Sequence, residues 1–234
     1  MSEKIINTKT DGVLEIILNN PAKMNCIGFQ MLRELEATIQ QAETDKSIGV
    51  FVFKGAGDRA FSTGADLKEF QSLNQEQAGE WIEMGNNVFN KIESLSKPTI
   101  AFIDGYAMGG GLELALSCDF RVGTEKAILY SPELQHGWLP GWGGMTRLRR
   151  LIGEVKAKEL VILCERIDAA KAFTLGLLTR IETSESTELE KLVAYLKSLN
   201  PVSYKLAKMA LQDPSRTTYG TDLQFDVLAI SKSR

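Results

Sequence analysis

Residues 99 to 119 read TIAFIDGYAMGGGLELALSCD, and no other stretch limits so tightly what this chain can become. A short apolar run ends at Asp104, three glycines follow at 109 to 111, and Glu113 then stands among Leu112, Leu114, Ala115 and Leu116. The pattern predicts a buried strand, a backbone that approaches something closely, and a short buried helix. A carboxylate in such a helix needs a partner or a task, because an unpaired buried charge is costly. Glycines at a helix start also leave N–H groups unpaired where the helix gathers partial positive charge, which is half of an anion site.

The other half has a candidate upstream. In STGADLKEF, Gly64 opens a second turn, and the Ala65 N–H is placed to point at the same oxygen as the N–H of Gly110. Two convergent backbone donors stabilise charge that develops on a thioester or ester carbonyl oxygen. The same residues also read as two ordinary helix starts with glycine turns, and spacing leaves both readings open. Downstream, Glu133 follows Pro132 in the aromatic loop SPELQHGWLPGWGG. Two carboxylates in apolar surroundings have their proton affinities pushed apart, which suits one group that gives a proton and a neighbour that takes one. The alternative for Glu133 is a solvated loop residue.

Other chemistries find less support. His136 is the only histidine, so any Ser-His, Cys-His or His-rich metal site has one candidate, and in a tryptophan-containing loop it reads first as structural. AFSTG lacks the GxSxG elbow of a serine hydrolase. GAGDRA at 55 to 60 matches the dinucleotide pattern, but FSTG does not continue as the helix that would receive a phosphate, so a plain turn is the better reading. Cys26, Cys118 and Cys164 fit no metal-ligand spacing and read as buried thiols of a reducing compartment. With a net charge of −3 there is no basic footprint for nucleic acid. The start, MSEKIINTKTDGVLEIIL, shows neither a signal-peptide nor a transit-peptide pattern, no apolar run spans a membrane, and SKSR is not a peroxisomal address. The expectation is a cytoplasmic protein acting on a small molecule.

Along the chain, KIINTKTDGVLEIIL predicts two strands around an Asp11-Gly12 turn. FQMLRELEATIQQAE follows as a helix with Met31, Leu32, Leu35 and Ile39 on one face, and IGVFVFKG as a buried strand. A glycine-punctuated loop, a helix through Val88, Ile92 and Leu95, and the strand TIAFID loosely repeat that rhythm. FRVGTEKAILY is β-like, and beyond Gly144 the character becomes helical: KAKELVILCER, DAAKAFTLG with Asp168 as N-cap, and PVSYKLAKMALQ with Pro201 in the first turn. No Pro- or Ser-rich linker divides these parts, so the expectation is one domain over 1–234, an α/β core to about residue 145 and a helical region over about 146–234.

Taken in order, NNPAKMNCIG, AFSTGADLKEF, KPTIAFIDGYAMGGGLELALSCD, SPELQHGWLPGWGGMTRL and DAAKAFTLGLL resemble the enoyl-CoA hydratase/isomerase, or crotonase, family from about Ile5 to Leu211. The resemblance implies a spiral of repeated ββα units with C-terminal helices that pack in trimers, often paired into hexamers. It implies an acyl-CoA thioester whose carbonyl oxygen lies between the N–H groups of Ala65 and Gly110, beside Gly64 and Gly109. It maps Glu113 and Glu133 onto the two catalytic glutamates of the hydratases, and coenzyme A onto Lys23, Met24, Asp66, Leu67 and Lys68. Coenzyme A would enter as part of the substrate, with no metal or redox cofactor required.

The expected reaction is addition of water across the 2,3 double bond of a 2-enoyl-CoA. The alternatives are a double-bond isomerase or pathway-specific dehydratase on the same scaffold, and a non-catalytic paralogue. Three features depart from the family's usual pattern. After TTYGTDLQFDVLAISKSR the chain stops where relatives usually continue through another helix, His136 stands where an aliphatic residue is common, and Leu112 is bulkier than the usual small residue.

Overall fold

The structure, a computed structural model, describes residues 3–212. It begins with the expected hairpin: β1 (Ile5–Thr10) and β2 (Val13–Leu18) pair antiparallel around Asp11 and Gly12, whose φ of 48° and 75° give the left-handed turn that matches strand twist. In β2 the buried residues alternate, placing Leu14, Ile16 and Leu18 inward. Helix α1 (Phe29–Glu43) buries Met31, Leu32, Leu35, Ile39 and Ala42, the face its spacing predicts.

The rest of the core is built by one move made three times. Strand β3 (Val50–Gly55) leads to β4 (Ala60–Ser62) and then to helices α2 (Leu67–Gln71) and α3 (Gln75–Ser94). Strand β5 (Thr99–Ile103) leads to β6 (Tyr106–Met108) and to α4 (Gly110–Ser117), and β7 (Phe120–Thr124) leads to β8 (Ile128–Tyr130) and, past a short 3-10 turn at Glu133–His136, to α5 (Gly144–Ile162). The first strand of each unit joins a six-stranded sheet ordered β1-β2-β3-β5-β7-β10, and the second joins a four-stranded sheet ordered β4-β6-β8-β9. Within each sheet the pairing from one repeat to the next is parallel, so the units stack as a spiral of ββα turns.

The region after Gly144 is not purely helical. β9 (Ile167–Asp168) pairs antiparallel with β8, and β10 (Arg180–Glu182) pairs parallel with β7. These strands are two and three residues long, too short for periodicity to reveal, and they exist because each completes the edge of a sheet formed much earlier in the chain. Between and after them lie α6 (Ala169–Thr174), whose N-cap Asp168 accepts the Lys171 N–H at 2.8 Å, α7 (Glu188–Ser198) and α8 (Pro201–Gln212). Sequence reading did not single out α7, yet the sheet needs it. Val50, Val52, Ile100 and Val122 form the face turned away from the main core, and Leu192 and Leu196 of α7 cover it, since a parallel sheet is stable only with both faces dry.

GAGDRA proves to be the connection from β3 to β4, with no helix at its end to receive a phosphate. The three cysteines are buried free thiols. No helix among the described residues is long and apolar enough to cross a membrane. The terminal segment TTYGTDLQFDVLAISKSR lies outside the described residues.

Candidate active site

The site forms where the first two ββα units meet. Strand β6 ends at Met108, and Gly109 turns the chain into α4 with φ 50° and ψ −125°, a conformation that side chains rarely adopt. The turn is pinned because the Gly109 N–H donates to the Tyr130 carbonyl at 2.9 Å and the Gly109 carbonyl accepts from the Glu113 N–H at 3.0 Å. Gly110 is thus the first residue of the helix, and its N–H is one of the four that no turn of the helix can satisfy.

The preceding repeat delivers the second donor to the same place. Gly64, at φ 82°, passes so close that a Cβ on it would lie 2.6 Å from the Gly110 nitrogen and 2.8 Å from the Met108 carbonyl oxygen. Ala65 is held by a parallel bridge to Ile27, in which the Ile27 N–H donates to the Gly64 carbonyl and the Asp66 N–H to the Ile27 carbonyl. Because the Gly64 carbonyl faces Ile27, the Ala65 N–H of the same trans peptide faces away from it, and the Ala65 nitrogen would lie 3.5 Å from a Cβ on Gly110. Two backbone donors thus stand side by side, both without a protein acceptor among the described residues, and such a pair can stabilise an oxygen that gains negative charge.

Glu113 stands one helical turn from these donors. It is 4% exposed, and its Oε1 accepts two backbone N–H groups, from Trp142 and Gly144, each at 2.8 Å. Burial pushes its carboxyl up to about 7, reinforced by Glu133, while the two N–H groups and Arg147 pull the other way. With Oε1 occupied, Oε2 is the oxygen left for a water. Glu133 is held from below: buried Ser131 donates its Oγ–H to Glu133 Oε2 at 2.7 Å. A Cβ on Gly109 would come within 2.9 Å of Glu133 Oε1, so this carboxylate lies directly over the glycine turn.

Glu113, Glu133, Ala65 and Gly110 all line one cavity of about 70 Å³, closed by Phe70, Trp81, Ile82, Trp138, Leu139 and Trp142. The aromatic wall is a chain of ring contacts: Phe70 lies 5.0 Å from Trp81 and 5.1 Å from Trp138, and Trp142 stands edge-on to Trp81 at 5.3 Å. The indole N–H groups of Trp81 and Trp142 are buried with no hydrogen-bond partner among the described residues. A roomier groove of about 420 Å³ lies near α8, but its charged groups are spent on one another, Lys208 on Asp119 at 2.8 Å and Arg147 on Glu93 at 2.7 Å.

The positions expected to meet coenzyme A lie on two segments tied to each other, the second running on from Ala65. The Lys23 ammonium pairs with Asp66 at 2.6 Å, and Asp66 also caps α2 by accepting the Lys68 N–H at 3.2 Å. The Thr63 N–H donates to the Met24 carbonyl at 3.1 Å, which ties the Lys23–Met24 segment to the Gly64–Ala65 turn. Leu67 and Lys68 are exposed, and the Lys68 ammonium has no ion-pair partner among the described residues. His136 is exposed on the 3-10 turn, its ring 6.1 Å from that of Trp138.

A family model described as enoyl-CoA hydratase/isomerase matches residues 8–232. The chain belongs to the enoyl-CoA hydratase/isomerase family. A short-chain-enoyl-CoA hydratase of Clostridium acetobutylicum is 34% identical over 224 residues, covering 95% of this chain and 86% of that protein. A crotonyl-CoA hydratase of Syntrophomonas wolfei is 34% identical over 217 residues, covering 92% and 84%. The crystal structure of an enoyl-CoA hydratase from Bacillus anthracis superimposes with a TM-score of 0.92 at 35% identity, covering 97% of this chain and 90% of that one. The ββα spiral is therefore the crotonase fold, and membership in a family of hydro-lyases makes this an enzyme of acyl-CoA metabolism.

Sequence reading of this enoyl-CoA hydratase/isomerase family member names four residues that the structure brings to one cavity, and does not name the groups that hold them. The two N–H donors on Glu113 sit 29 and 31 residues away in sequence, and a backbone donor carries no residue signature. Ser131 and the wall residues Phe70 and Trp81 were equally unmarked. Ser131 had a signal, a hydroxyl two residues before Glu133 in SPEL, a spacing at which a short side chain reaches back to a local acceptor.

Proposed function

We propose that this protein adds water across the 2,3 double bond of short-chain 2-enoyl-CoA thioesters, with Glu113 and Glu133 as acid and base and the Ala65 and Gly110 N–H groups as the oxyanion hole. The observation that carries the reading is the sharing of one 70 Å³ cavity by all four groups. Hydrogen bonds from the two amides to the thioester oxygen draw electron density from carbon 3. A water held between the carboxyl groups attacks there, one carboxylate takes its proton, and the other carboxyl group delivers a proton to carbon 2 as the enolate collapses. A group titrating near 7 is matched to this work, since proton transfer is most efficient when the catalytic group's affinity lies near the working pH.

The aromatic wall of Phe70, Trp81, Trp138 and Trp142 crowds the space beside the two carboxyl groups, which supports a short acyl group. Coenzyme A would lie outside, along Lys23, Met24, Asp66, Leu67 and Lys68, where the unpaired Lys68 ammonium suits a phosphate. The reaction draws on no metal or redox cofactor. Assembly into a homotrimer, or a hexamer of paired trimers, belongs to the same proposal, supported by the large apolar side chains exposed on α5 and α6.

The test is loss of the conjugated thioester absorbance with crotonyl-CoA and with longer homologues, followed by product analysis in isotopically labelled water. Labelled 3-hydroxyacyl-CoA, with the rate falling as the chain lengthens, is the expected result. No turnover of any 2-enoyl-CoA, or a product whose double bond has moved without taking up solvent oxygen, would overturn it.

A further inference from the structure

The two amides that grip Glu113 belong to the turn Trp142–Gly144, and one buried guanidinium grips that turn. Arg147, in the first turn of α5, is 4% exposed. Its Nη1 donates to the Trp142 carbonyl at 2.8 Å, its Nε to Glu93 Oε2 at 2.8 Å, and its Nη2 to Asn90 Oδ1 at 2.8 Å. The carbonyl it holds belongs to the peptide that joins Trp142 to Gly143. That peptide lies between the two that carry the N–H groups donated to Glu113, so the guanidinium anchors the middle of the turn that presents both donors. Asn90 and Glu93 sit on α3, against which the guanidinium braces the turn.

We infer that Arg147 is a positioning residue: it fixes the Trp142–Gly143 peptide against α3 so that two amides converge on Oε1 of Glu113 and Oε2 is left for water and substrate. The inference rests on the reading of Glu113 as an acid–base group. A guanidinium is suited to the task because its donors are fixed in one plane and reach three acceptors together, whereas a lysine ammonium is a single flexible point charge. The charged groups that face Glu113 are Glu133, from the 3-10 turn, and Arg147, from α5. Arg147 in turn faces Glu93, which also pairs with Arg150 at 3.2 Å. Burial and Glu133 favour the protonated form of Glu113, while the two amides and the guanidinium favour the carboxylate. Loosening the clamp removes only stabilisation of the carboxylate, so the titration moves to higher pH.

The experiment follows the Glu113 carboxyl by infrared difference titration in the full chain, with Glu113→Gln identifying the band, in the wild type, Arg147→Gln, Arg147→Lys and Asn90→Ala. Both Arg147 variants are expected to titrate above the wild-type midpoint of about 7. Their kcat on crotonyl-CoA is expected to fall at least about tenfold while KM stays within about threefold, as when a reacting group is misaimed and binding is untouched. Asn90→Ala is expected to move the midpoint the same way by less. A folded Arg147→Lys with wild-type midpoint and kcat overturns the inference, as does an unmoved midpoint in Asn90→Ala should neither Arg147 variant fold. The titration needs no turnover. A wild type that titrates near 7 but hydrates no enoyl-CoA would sink the proposed function and leave the clamp to be judged by the midpoints alone.

Discussion

As a buried carboxylate Glu113 is expected to destabilise the fold, and this can be measured. Its carboxyl has an ordinary value of 4.5 and stands near 7 when buried. Between those values the folded chain binds more protons than the unfolded chain, so this residue's effect is to make stability fall as pH rises from about 4.5 to about 7 and stay lower above that. The full difference is on the order of 3 kcal/mol. Glu113→Gln keeps an oxygen to accept the Trp142 and Gly144 N–H groups but cannot ionise. It should therefore resist denaturant better than the wild type at pH 8, by up to about 3 kcal/mol at matched protein concentration, and lose the advantage at pH 4.5. The same change should cost at least about two orders of magnitude in kcat, the usual scale of acid–base help. Equal denaturation midpoints at pH 8 would show that Glu113 is not buried as a charge. On the coenzyme side, Lys68→Ala should raise KM by up to about fivefold with kcat unchanged, and the effect should fade with added salt, because an exposed ion pair contributes at most about 1 kcal/mol. A KM insensitive to that change would remove Lys68 from the binding surface.

Between residue and fold, the decisive element is the pair of glycine turns. Gly64→Ala would place a methyl group 2.6 Å from the Gly110 nitrogen at a φ of 82°, so the loop must retreat and the two amides must part. Such strain costs of order 1–3 kcal/mol in stability. Loss of one donor lowers kcat by about 10² to 10³. A soluble Gly64→Ala variant with native kcat would mean that the two amides do not act together. The elements written clearly in the sequence are those whose signal is local. The apolar face of α1, the Asp11-Gly12 hairpin, the Asp168 cap and the Pro201 start each depend on residues a few positions apart, and each is where its signal puts it. What stayed hidden is held across long separations. β9 and β10 are defined by the edges they complete, α7 by the sheet face it covers, and the grip on Glu113 by amides of a turn that reads as loop. Glu113 and Glu133 were legible as odd residues for their surroundings, but that they share a cavity is a property of the stacked repeats.

At the scale of the whole molecule, the large apolar side chains that remain outside are concentrated late in the chain. Leu151 is 41% exposed, Val155 70%, Ile162 56%, Leu163 71% and Phe173 51%, all within 23 residues that include most of α5 and the greater part of α6. Single exposed apolar residues are ordinary, whereas a concentration of them is what the proposed assembly would cover. Copies of the same chain are the simplest cover, since closed symmetric assembly buries the same patch on every protomer. Val155 tests this well. At 70% exposed it contributes little to its own protomer's core, so Val155→Glu should leave the stability of a single chain within about 0.5 kcal/mol. In an assembled interface the same carboxylate would be buried without a partner, at a cost of several kcal/mol. Light scattering on the eluting protein is therefore expected to give three or six chains for the wild type and to shift toward one for Val155→Glu, with circular dichroism unchanged. A wild type that elutes as a single chain at micromolar concentration would remove the assembly from the proposal. A trimer indifferent to the substitution would place its interface elsewhere on the surface.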